Sequence, residues 1–211
     1  SINDISTYQT DKYWIAEGSK GLRSIQRKGS NSFEALNEPI ILDGPYSNSA
    51  FDIVCKNDKV YMIIGGKDLL NGKRVDKGGY ILTYDYDKWS FIDPKEAQKK
   101  LNLPRNPRDY TSIAVTTDDS NDEIVYASPM GDGVIQYKNG TPVQSYNEKN
   151  AFKETAGGYG SGYCYIDGLA FDKNGNLWLG TNVGLVKLGA QMKSNEPVVR
   201  VYTEADGLQG N

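Results

Sequence analysis

The chain has 211 residues, of which 38% are hydrophobic and 24% are charged, with a formal net charge of −3. This hydrophobic share is sufficient for a core, which excludes an intrinsically disordered chain. The mildly acidic balance, without a basic stripe, excludes a nucleic-acid partner. Membrane insertion is excluded as well, since the sequence lacks an apolar run of about 18 residues.

A pattern of turn, strand with a large aromatic residue, small residues and glycine recurs four times along the chain. In chain order, the aromatic residues are Trp14, Tyr61, Tyr126 and Trp178, and the clearest copy occupies residues 166–188. Their intervals are close to the roughly 40–50 residues of a propeller blade. The repeat therefore predicts an all-β chain, a β-propeller made of four-stranded antiparallel blades.

Alternating apolar and polar residues around each aromatic predict the remaining strands. The expected strands before and after the aromatic copies occupy residues 2–5, 33–36, 50–54, 88–92, 110–115, 142–146, 165–171 and 197–202. The second copy carries an insertion at residues 65–77, and residues 94–103 read as the single helix, with proline in its first turn. Approximate blades are expected at residues 1–49, 50–108, 109–164 and 165–211.

An arc of about four blades leaves an apolar face at each end, which is more than a monomer usually exposes. Closure as a small ring, head-to-tail pairing of two copies, or further blades of a longer protein would each cover these faces. We expect the chain to be a fragment of a larger propeller, with a head-to-tail dimer as one way for the fragment to cover itself.

The sequence contains no histidine, which removes the usual general base and the commonest metal ligand. The acidic residues at 118–123 lie in a hairpin turn, where turn hydrogen bonding is the ordinary role of aspartate. Residues 172–176 resemble half of a calcium loop, but Val183 stands where the distal glutamate would be needed. We therefore expect a tight turn there, no metal, no cofactor and no enzymatic activity.

The two cysteines, Cys55 and Cys164, lie in different predicted blades. A disulfide between them would have to cross the propeller. Free, partly buried thiols are the simpler interpretation, although an oxidising compartment stays open.

Three segments interrupt the repeat, at residues 65–79, 95–110 and 147–165. Tyrosines among glycines suit stacking against a sugar or peptide, and nearby lysine or arginine suits an anionic group. The candidate ligand-binding residues are Lys73, Arg74, Arg105, Arg108, Tyr159, Tyr163 and Tyr165. In contrast, Trp178 is expected in the core.

Residues 172–185, Asp-Lys-Asn-Gly-Asn-Leu-Trp-Leu-Gly-Thr-Asn-Val-Gly-Leu, closely resemble the repeat of two-component-regulator propellers. Across more of the chain, Trp14-Ile-Ala-Glu-Gly-Ser-Lys-Gly-Leu22, Asp43-Gly-Pro-Tyr-Ser-Asn48, Val60-Tyr-Met-Ile-Ile-Gly-Gly66 and Tyr146-Asn-Glu-Lys-Asn150 resemble PorZ-like propeller proteins of the type IX secretion system. That resemblance implies seven-bladed propellers in a protein of the periplasm or outer surface of a Gram-negative bacterium.

The same resemblance implies a binding and scaffolding role, with a glycan of the lipopolysaccharide type or a surface sortase-type protein as partner. An alternative is the periplasmic, oligosaccharide-sensing propeller of a hybrid two-component regulator. The two classes of protein differ in the segment after their repeats, which is a sorting domain in the first and a membrane span with a kinase in the second.

Overall fold

The computed structural model describes residues 4–16, 22–38, 40, 44, 50–68, 70–73, 78–147, 150–151, 165–182, 184–189 and 198–209. Residues 1–44 and residues 45–211 form two separate compact units.

The first unit contains one four-stranded antiparallel sheet, in which the strands follow chain order. Its strands are β1 (Asp4–Gln9), β2 (Lys12–Ala16), β3 (Leu22–Arg27) and β4 (Phe33–Ala35). The first strand was predicted at residues 2–5, but the structure places it later. Asp11, with φ of 55°, makes the turn that ends β1 close to Gln9.

The second unit contains three sheets of the same kind, again with strands in chain order. The first of them, which we call blade 2, consists of β5 (Ala50–Lys56), β6 (Lys59–Ile64), β7 (Ile81–Tyr84) and β8 (Trp89–Ile92). Blade 3 consists of β9 (Tyr110–Thr117), β10 (Glu123–Pro129), β11 (Val134–Lys138) and β12 (Thr141–Tyr146). Blade 4 consists of β13 (Ile166–Phe171), β14 (Leu177–Thr181), β15 (Gly184–Leu188) and β16 (Val198–Tyr202). The predicted fold class, an all-β chain of four-stranded antiparallel propeller blades, is confirmed.

The predicted helix is also present, as α1 (Pro94–Leu101) between blades 2 and 3. Asp93 begins it by accepting a hydrogen bond from the backbone N–H of Lys95 at 2.8 Å. Asn102, in the left-handed conformation, ends it two residues earlier than predicted. Ala97 is fully buried, so the helix is anchored between the two blades.

The glycine that closes each clear repeat has a physical reason to be glycine. Gly133 and Gly184 have φ of 79° and 132°, where other residues are strained. A β-carbon at Gly133 would lie 2.0 Å from the carbonyl oxygen of Tyr146, and one at Gly184 would lie 2.2 Å from that of Tyr202. These glycines let the fourth strand of each blade approach the start of the third.

Polar contacts join the first strands of the three blades in the second unit. Asp52 of β5 accepts hydrogen bonds from the Ser112 hydroxyl and from the backbone N–H of Ile113, both in β9. The Ser112 hydroxyl in turn accepts from the backbone N–H of Leu169 in β13. Adjacent first strands are the arrangement expected of blades around a propeller axis.

The repeat aromatics all lie on the second strand of their blades, but they are not equally buried. Tyr61 and Tyr126 are only 2% and 4% exposed, because the following blade covers each of them. Trp178 is half-buried, which contradicts its prediction as a core residue. It packs within its own blade, stacked on Tyr202 with a centroid distance of 5.6 Å.

Cys55 is a free, exposed thiol at the end of β5, not the partly buried one predicted from composition. It occupies a face of β5 on which Ile53 is also exposed. Cys164 lies outside the described residues.

Candidate functional site

The connections between strands of the second unit lie at two opposite ends of its sheets. Since every pairing is antiparallel, the turns after the first and third strands lie at one end, which we call the hairpin end. The connections after the second and fourth strands lie at the other, which we call the loop end. All three segments predicted to interrupt the repeat start from strands that finish at the loop end.

Backbone hydrogen bonds hold two of these segments together. The N–H of Asp109, at the end of the 93–109 connection, donates to the carbonyl oxygen of Gly78 in the 65–80 loop at 2.8 Å. The carbonyl oxygen of Asp109 accepts from the N–H of Met130 in the next blade at 3.1 Å. Asp109 is itself fully buried, with φ of 52°. It therefore links the two irregular segments to the connection between β10 and β11.

A two-bond ion pair also joins the 93–109 connection to the connection between β10 and β11. The Arg105 Nε donates to Asp132 Oδ2 at 3.1 Å, and its Nη2 donates to Asp132 Oδ1 at 2.5 Å. Two parallel bonds of this kind set the plane of the guanidinium group. The Arg105 side chain nevertheless remains 40% exposed, so part of it still faces solvent.

The loop of blade 2 also reaches blade 4. The Lys67 ammonium group donates to a carboxylate oxygen of Asp167, a residue 100 positions further along the chain. Asp167 occupies a β-bulge at the start of β13, and Phe51 and Thr111 occupy equivalent bulges in β5 and β9. Bulges of this kind redirect side chains next to binding sites. Sequence reasoning missed this pair, because its two residues are 100 positions apart and no local pattern links them.

The predicted site residues that the structure describes all lie at the loop end. Lys73 and Arg108 are exposed, and Tyr165 is half-buried immediately before β13. Tyr165 also accepts a backbone hydrogen bond from the N–H of Asn182 at 3.4 Å. Arg74, Tyr159 and Tyr163 lie outside the described residues, so their role stays a prediction.

Among the described residues of the loop end, exposed bases outnumber the exposed acids outside ion pairs, which are Glu96 in α1 and Glu204 after β16. Further acids there are engaged. Asp167 pairs with Lys67, Asp132 pairs with Arg105, and Asp93 caps α1. Three lysines of α1 are exposed to solvent: Lys95, Lys99 and Lys100. Together with Lys73 and Arg108, they present positive charge that can accept an anionic group through charge-assisted hydrogen bonds.

The hairpin end has the opposite character, because its turns are built from carboxylates. Asp118 accepts from the N–H groups of Ser120 and Asp122, and Lys138 bridges the carboxylates of Asp118 and Asp122 at 2.7 Å each. The hydrogen bonds from Lys138 lower the pKa of both aspartates, which in turn raise the pKa of Lys138 to about 12. These acids are thus turn and ion-pair groups.

The segment that resembled a calcium loop is a turn closed by its own aspartate. Asp172 Oδ1 accepts from the N–H groups of Asn174 and Asn176, and its Oδ2 accepts from the side chains of Asn176 and Trp178. Gly175 supplies the left-handed conformation, with φ of 76°. Hydrogen bonds from Asn176 and Trp178 hold the pKa of Asp172 well below its usual value. No group of three metal-ligating side chains occurs among the described residues.

None of the helices in the described ranges has the length and apolar character needed to cross a membrane. No family model matches the chain, and no curated protein matches it. Among solved structures, it is similar to PorZ, an essential bacterial surface component of the type IX secretion system of Porphyromonas gingivalis. The TM-score is 0.69 at 23% identity, over 92% of this chain and 25% of that one.

The chain thus spans about a quarter of the PorZ chain that it matches, and the similarity shows that the two share a propeller fold. A gluconolactonase from Xanthomonas campestris matches with a TM-score of 0.45 at 12% identity, over 96% of this chain and 62% of that one. The extracellular domain of a hybrid two component system from B. thetaiotaomicron matches with a TM-score of 0.43 at 13% identity, over 96% and 22%. Scores at this level are too low to support an argument about function.

Proposed function

We propose that this chain is a non-enzymatic binding module of a bacterial surface propeller protein similar to PorZ. Its loop end recognises an anionic glycan of the lipopolysaccharide type. The proposed setting is the periplasm or outer surface of a Gram-negative bacterium. The observation that carries the ligand class is the charge at the loop end, where, within the described ranges, five exposed bases (Lys73, Lys95, Lys99, Lys100 and Arg108) outnumber the exposed glutamates Glu96 and Glu204.

Two features of the loop end support this ligand. Lys73 and Arg108 extend from the 65–80 and 93–109 segments, which hydrogen bonds of Asp109 hold together. A fixed backbone reduces the entropy lost when the cations engage a ligand. Two carboxylates of the loop end, Asp167 and Asp132, are already neutralised by Lys67 and Arg105, so they oppose an anion less than free acids would.

The sequence resemblances suggest two other partners. A surface sortase-type protein would use the same end of the propeller as a protein-docking surface. A sensing propeller of a hybrid two-component regulator, favoured by the repeat at residues 172–185, would bind a free oligosaccharide instead of a membrane-anchored glycan. Both keep the chain a binding module and change only what it binds.

The test is binding of the 211-residue chain to lipopolysaccharide purified from Porphyromonas gingivalis, measured by biolayer interferometry at two salt concentrations, with neutral dextran as the reference glycan. We expect binding to the lipopolysaccharide that weakens at higher salt, because exposed charges are screened. Binding to neither glycan, together with capture of an outer-membrane protein, would favour the sortase-type partner.

Charge reversal at the two ends provides the matched comparison. The double variant Lys73→Glu, Arg108→Glu should weaken lipopolysaccharide binding by about a hundredfold or more, given about 1.5–3 kcal/mol for each of two charged hydrogen bonds. The control Lys56→Glu, Lys88→Glu makes the same change at exposed lysines of the hairpin end and should bind like the unaltered chain. Equal loss in both variants would show that net charge alone, and not the loop end, determines binding.

A further inference from the structure

A cavity of about 320 Å³ lies between blades 2 and 3, on the side of the hairpin end. Its polar side chains come from both blades: Lys59, Thr83 and Ser90 from blade 2, and Glu123 and Asn139 from blade 3. We call this cavity the 2/3 crevice. Its volume is at the lower limit of the roughly 300–1,000 Å³ of small-molecule sites, so it fits a small ligand.

An ion pair forms one wall of the crevice. Glu123 Oε2 accepts from the Lys59 ammonium group at 2.8 Å and from the Tyr61 hydroxyl at 2.5 Å. Both contacts use the same oxygen, so within the part of the chain that the structure describes Oε1 keeps its lone pairs for another donor. The side chains of Lys59 and Glu123 are 29% and 22% exposed, so the wall is open to solvent.

The opposite wall adds hydroxyl groups and an apolar surface. The hydroxyls of Thr83 and Ser90 lie 2.6 Å apart and share one hydrogen bond, which leaves a second hydroxyl proton and further lone pairs. Ser90 is exposed, whereas Thr83 is buried. Ile92 lies beside Gly140 and presents hydrocarbon to the same space. Donors, acceptors and an apolar patch therefore line one small cavity.

This polar set is absent from the corresponding positions one blade further on. Counted from the repeat aromatic, Ile124 takes the place of Lys59, and Gly175 takes the place of Glu123. The aromatic residues also differ in what they contact. Tyr61 donates a hydrogen bond to the Glu123 carboxylate, whereas Tyr126 packs edge-on against the Phe171 ring at a centroid distance of 5.8 Å. Packing two blades together does not require the ion pair, so the 2/3 crevice is specialised for something else.

The electrostatic surroundings disfavour an anion. In the hairpin-end turns of blades 2 and 3, acids outnumber bases: the acids are Asp58, Asp85, Asp87, Asp118, Asp119, Asp122 and Glu123, and the bases are Lys56, Lys59, Lys88 and Lys138. Backbone N–H groups of Lys88 and Asp87, with a contribution from the Lys59 charge, lower the pKa of Asp85 and keep it ionised. Sugar hydroxyls, which donate and accept at once, can bind both ends of the ion pair without adding charge.

We propose that the 2/3 crevice binds one pyranose ring of a neutral sugar, with hydroxyls on Glu123, Lys59 and Ser90 and its C–H face towards Ile92. This site is independent of the loop end, which lies at the opposite end of the same sheets. If the loop-end variants lose lipopolysaccharide binding, the crevice should still bind its sugar. Failure of the crevice to bind a sugar would likewise leave the loop-end proposal standing.

The test is a two-dimensional NMR titration of the ¹⁵N-labelled chain with D-glucose, D-galactose, D-mannose and N-acetylglucosamine, each into the millimolar range, and with D-glucuronate as the anionic counterpart. We expect saturable shifts of the amides of Lys59, Thr83, Ser90, Glu123 and Asn139 with at least one neutral sugar, and weaker binding of glucuronate. No saturable shift with any sugar, or equal binding of glucuronate, would overturn the proposal.

Two single substitutions, one at a serine of the crevice and one at a glutamine outside it, test where the sugar binds. Ser90→Ala removes an exposed hydroxyl of the crevice and should weaken the sugar about fivefold, the effect of one hydrogen bond. Gln144→Ala is the control, because Gln144 occupies the equivalent position in blade 3. It pairs with Gln136 there, as Ser90 pairs with Thr83 in blade 2. This variant should leave the affinity for the sugar unchanged. Equal affinities of the two variants would place the sugar elsewhere and reject this site.

Discussion

The two interfaces between blades of the second unit use the same repeat positions for different chemistry. Between blades 3 and 4, the apolar core includes Leu177, Leu179 and Val186, all inaccessible to solvent. Beside it, the buried hydroxyls of Thr111 and Ser128 donate to the backbone carbonyl oxygen of Ile166. Between blades 2 and 3, the apolar core also contains a buried pair of tyrosine hydroxyls, and the Glu123 ion pair lies at its edge. The 3/4 interface closes by apolar packing and hydroxyl-to-backbone hydrogen bonds, whereas the 2/3 interface also has an ion pair and a polar crevice at its edge.

This difference shows how a repeat can acquire function without losing its fold. Hairpin turns, strand register and closing glycines are shared by the blades, so they account for architecture. Lys59 and Glu123 break the pattern at positions that the core does not need, and the insertion at residues 65–77 breaks it at the other end. Departures from the repeat are therefore where we expect ligands to bind.

The largest expected loss of stability follows from truncating a buried residue of β14, compared with its neighbour on the other face of the strand. Leu179→Ala should lower the free energy of unfolding by about 3 kcal/mol, because Leu179 is fully buried between blades 3 and 4. Trp178→Ala should cost only about 1.5 kcal/mol, since this larger side chain is half-buried. Urea denaturation measures both. A larger loss for Trp178 would mean that its face of the sheet is covered after all.

The next effect concerns the tyrosine pair of the other interface. The hydroxyls of Tyr110 and Tyr137 lie 2.7 Å apart and are completely buried. Tyr137→Phe should cost about 1.5 kcal/mol, because it leaves the Tyr110 hydroxyl without its partner. The double change Tyr110→Phe, Tyr137→Phe should cost less than the sum of the single changes. Strict additivity in that double-mutant cycle would show that the hydroxyls do not interact.

A smaller effect tests the ion pair at the crevice. Glu123→Gln should lower the free energy of unfolding by about 1 kcal/mol, since it weakens the contacts of a partly buried carboxylate with Lys59 and Tyr61. Glu34→Gln is the matched control, because Glu34 pairs with Lys28 at 3.1 Å in an exposed position. That control should change stability by no more than a few tenths of a kcal/mol. An equal loss of stability in both variants would show that the Glu123 ion pair contributes no more than an exposed pair.

The smallest effect is a pH dependence at the turn of blade 4. The pKa of Asp172 is lowered in the folded chain, so its ionised form stabilises the fold above the ordinary aspartate pKa of about 3.9. That stabilisation is lost progressively as the pH falls below about 4. Melting temperatures should therefore show Asp172→Asn less stable than the unaltered chain at pH 7, with a gap that narrows in acid. A gap that widens in acid would contradict the assignment.

Local features of the sequence were enough to predict the blades. The aromatic, the Asn-Gly turn at residues 174–175 and the closing glycines act within a single hairpin, so their spacing identifies the strands. Helix α1 was recognisable because its capping aspartate and first-turn proline are adjacent in sequence.

Long-range contacts were not predictable in the same way. Lys59 and Glu123 are 64 positions apart, and Lys67 and Asp167 are 100 apart, so no local pattern links them. The half-burial of Trp178 and the exposure of Cys55 depend on which sheet face another blade covers, which one blade's sequence does not specify. An alignment of the copies could have revealed opposite charges at Lys59 and Glu123, near the starts of consecutive second strands.

We have proposed that the loop end of this propeller module recognises an anionic glycan. The most direct measurement is an NMR titration of the labelled chain with the soluble polysaccharide released from Porphyromonas gingivalis lipopolysaccharide. We expect saturable shifts at residues 67–73, 105–109 and 165–167, with the turns at 57–58 and 118–122 unchanged. Shifts confined to those hairpin-end turns, or no saturable shift at all, would contradict it.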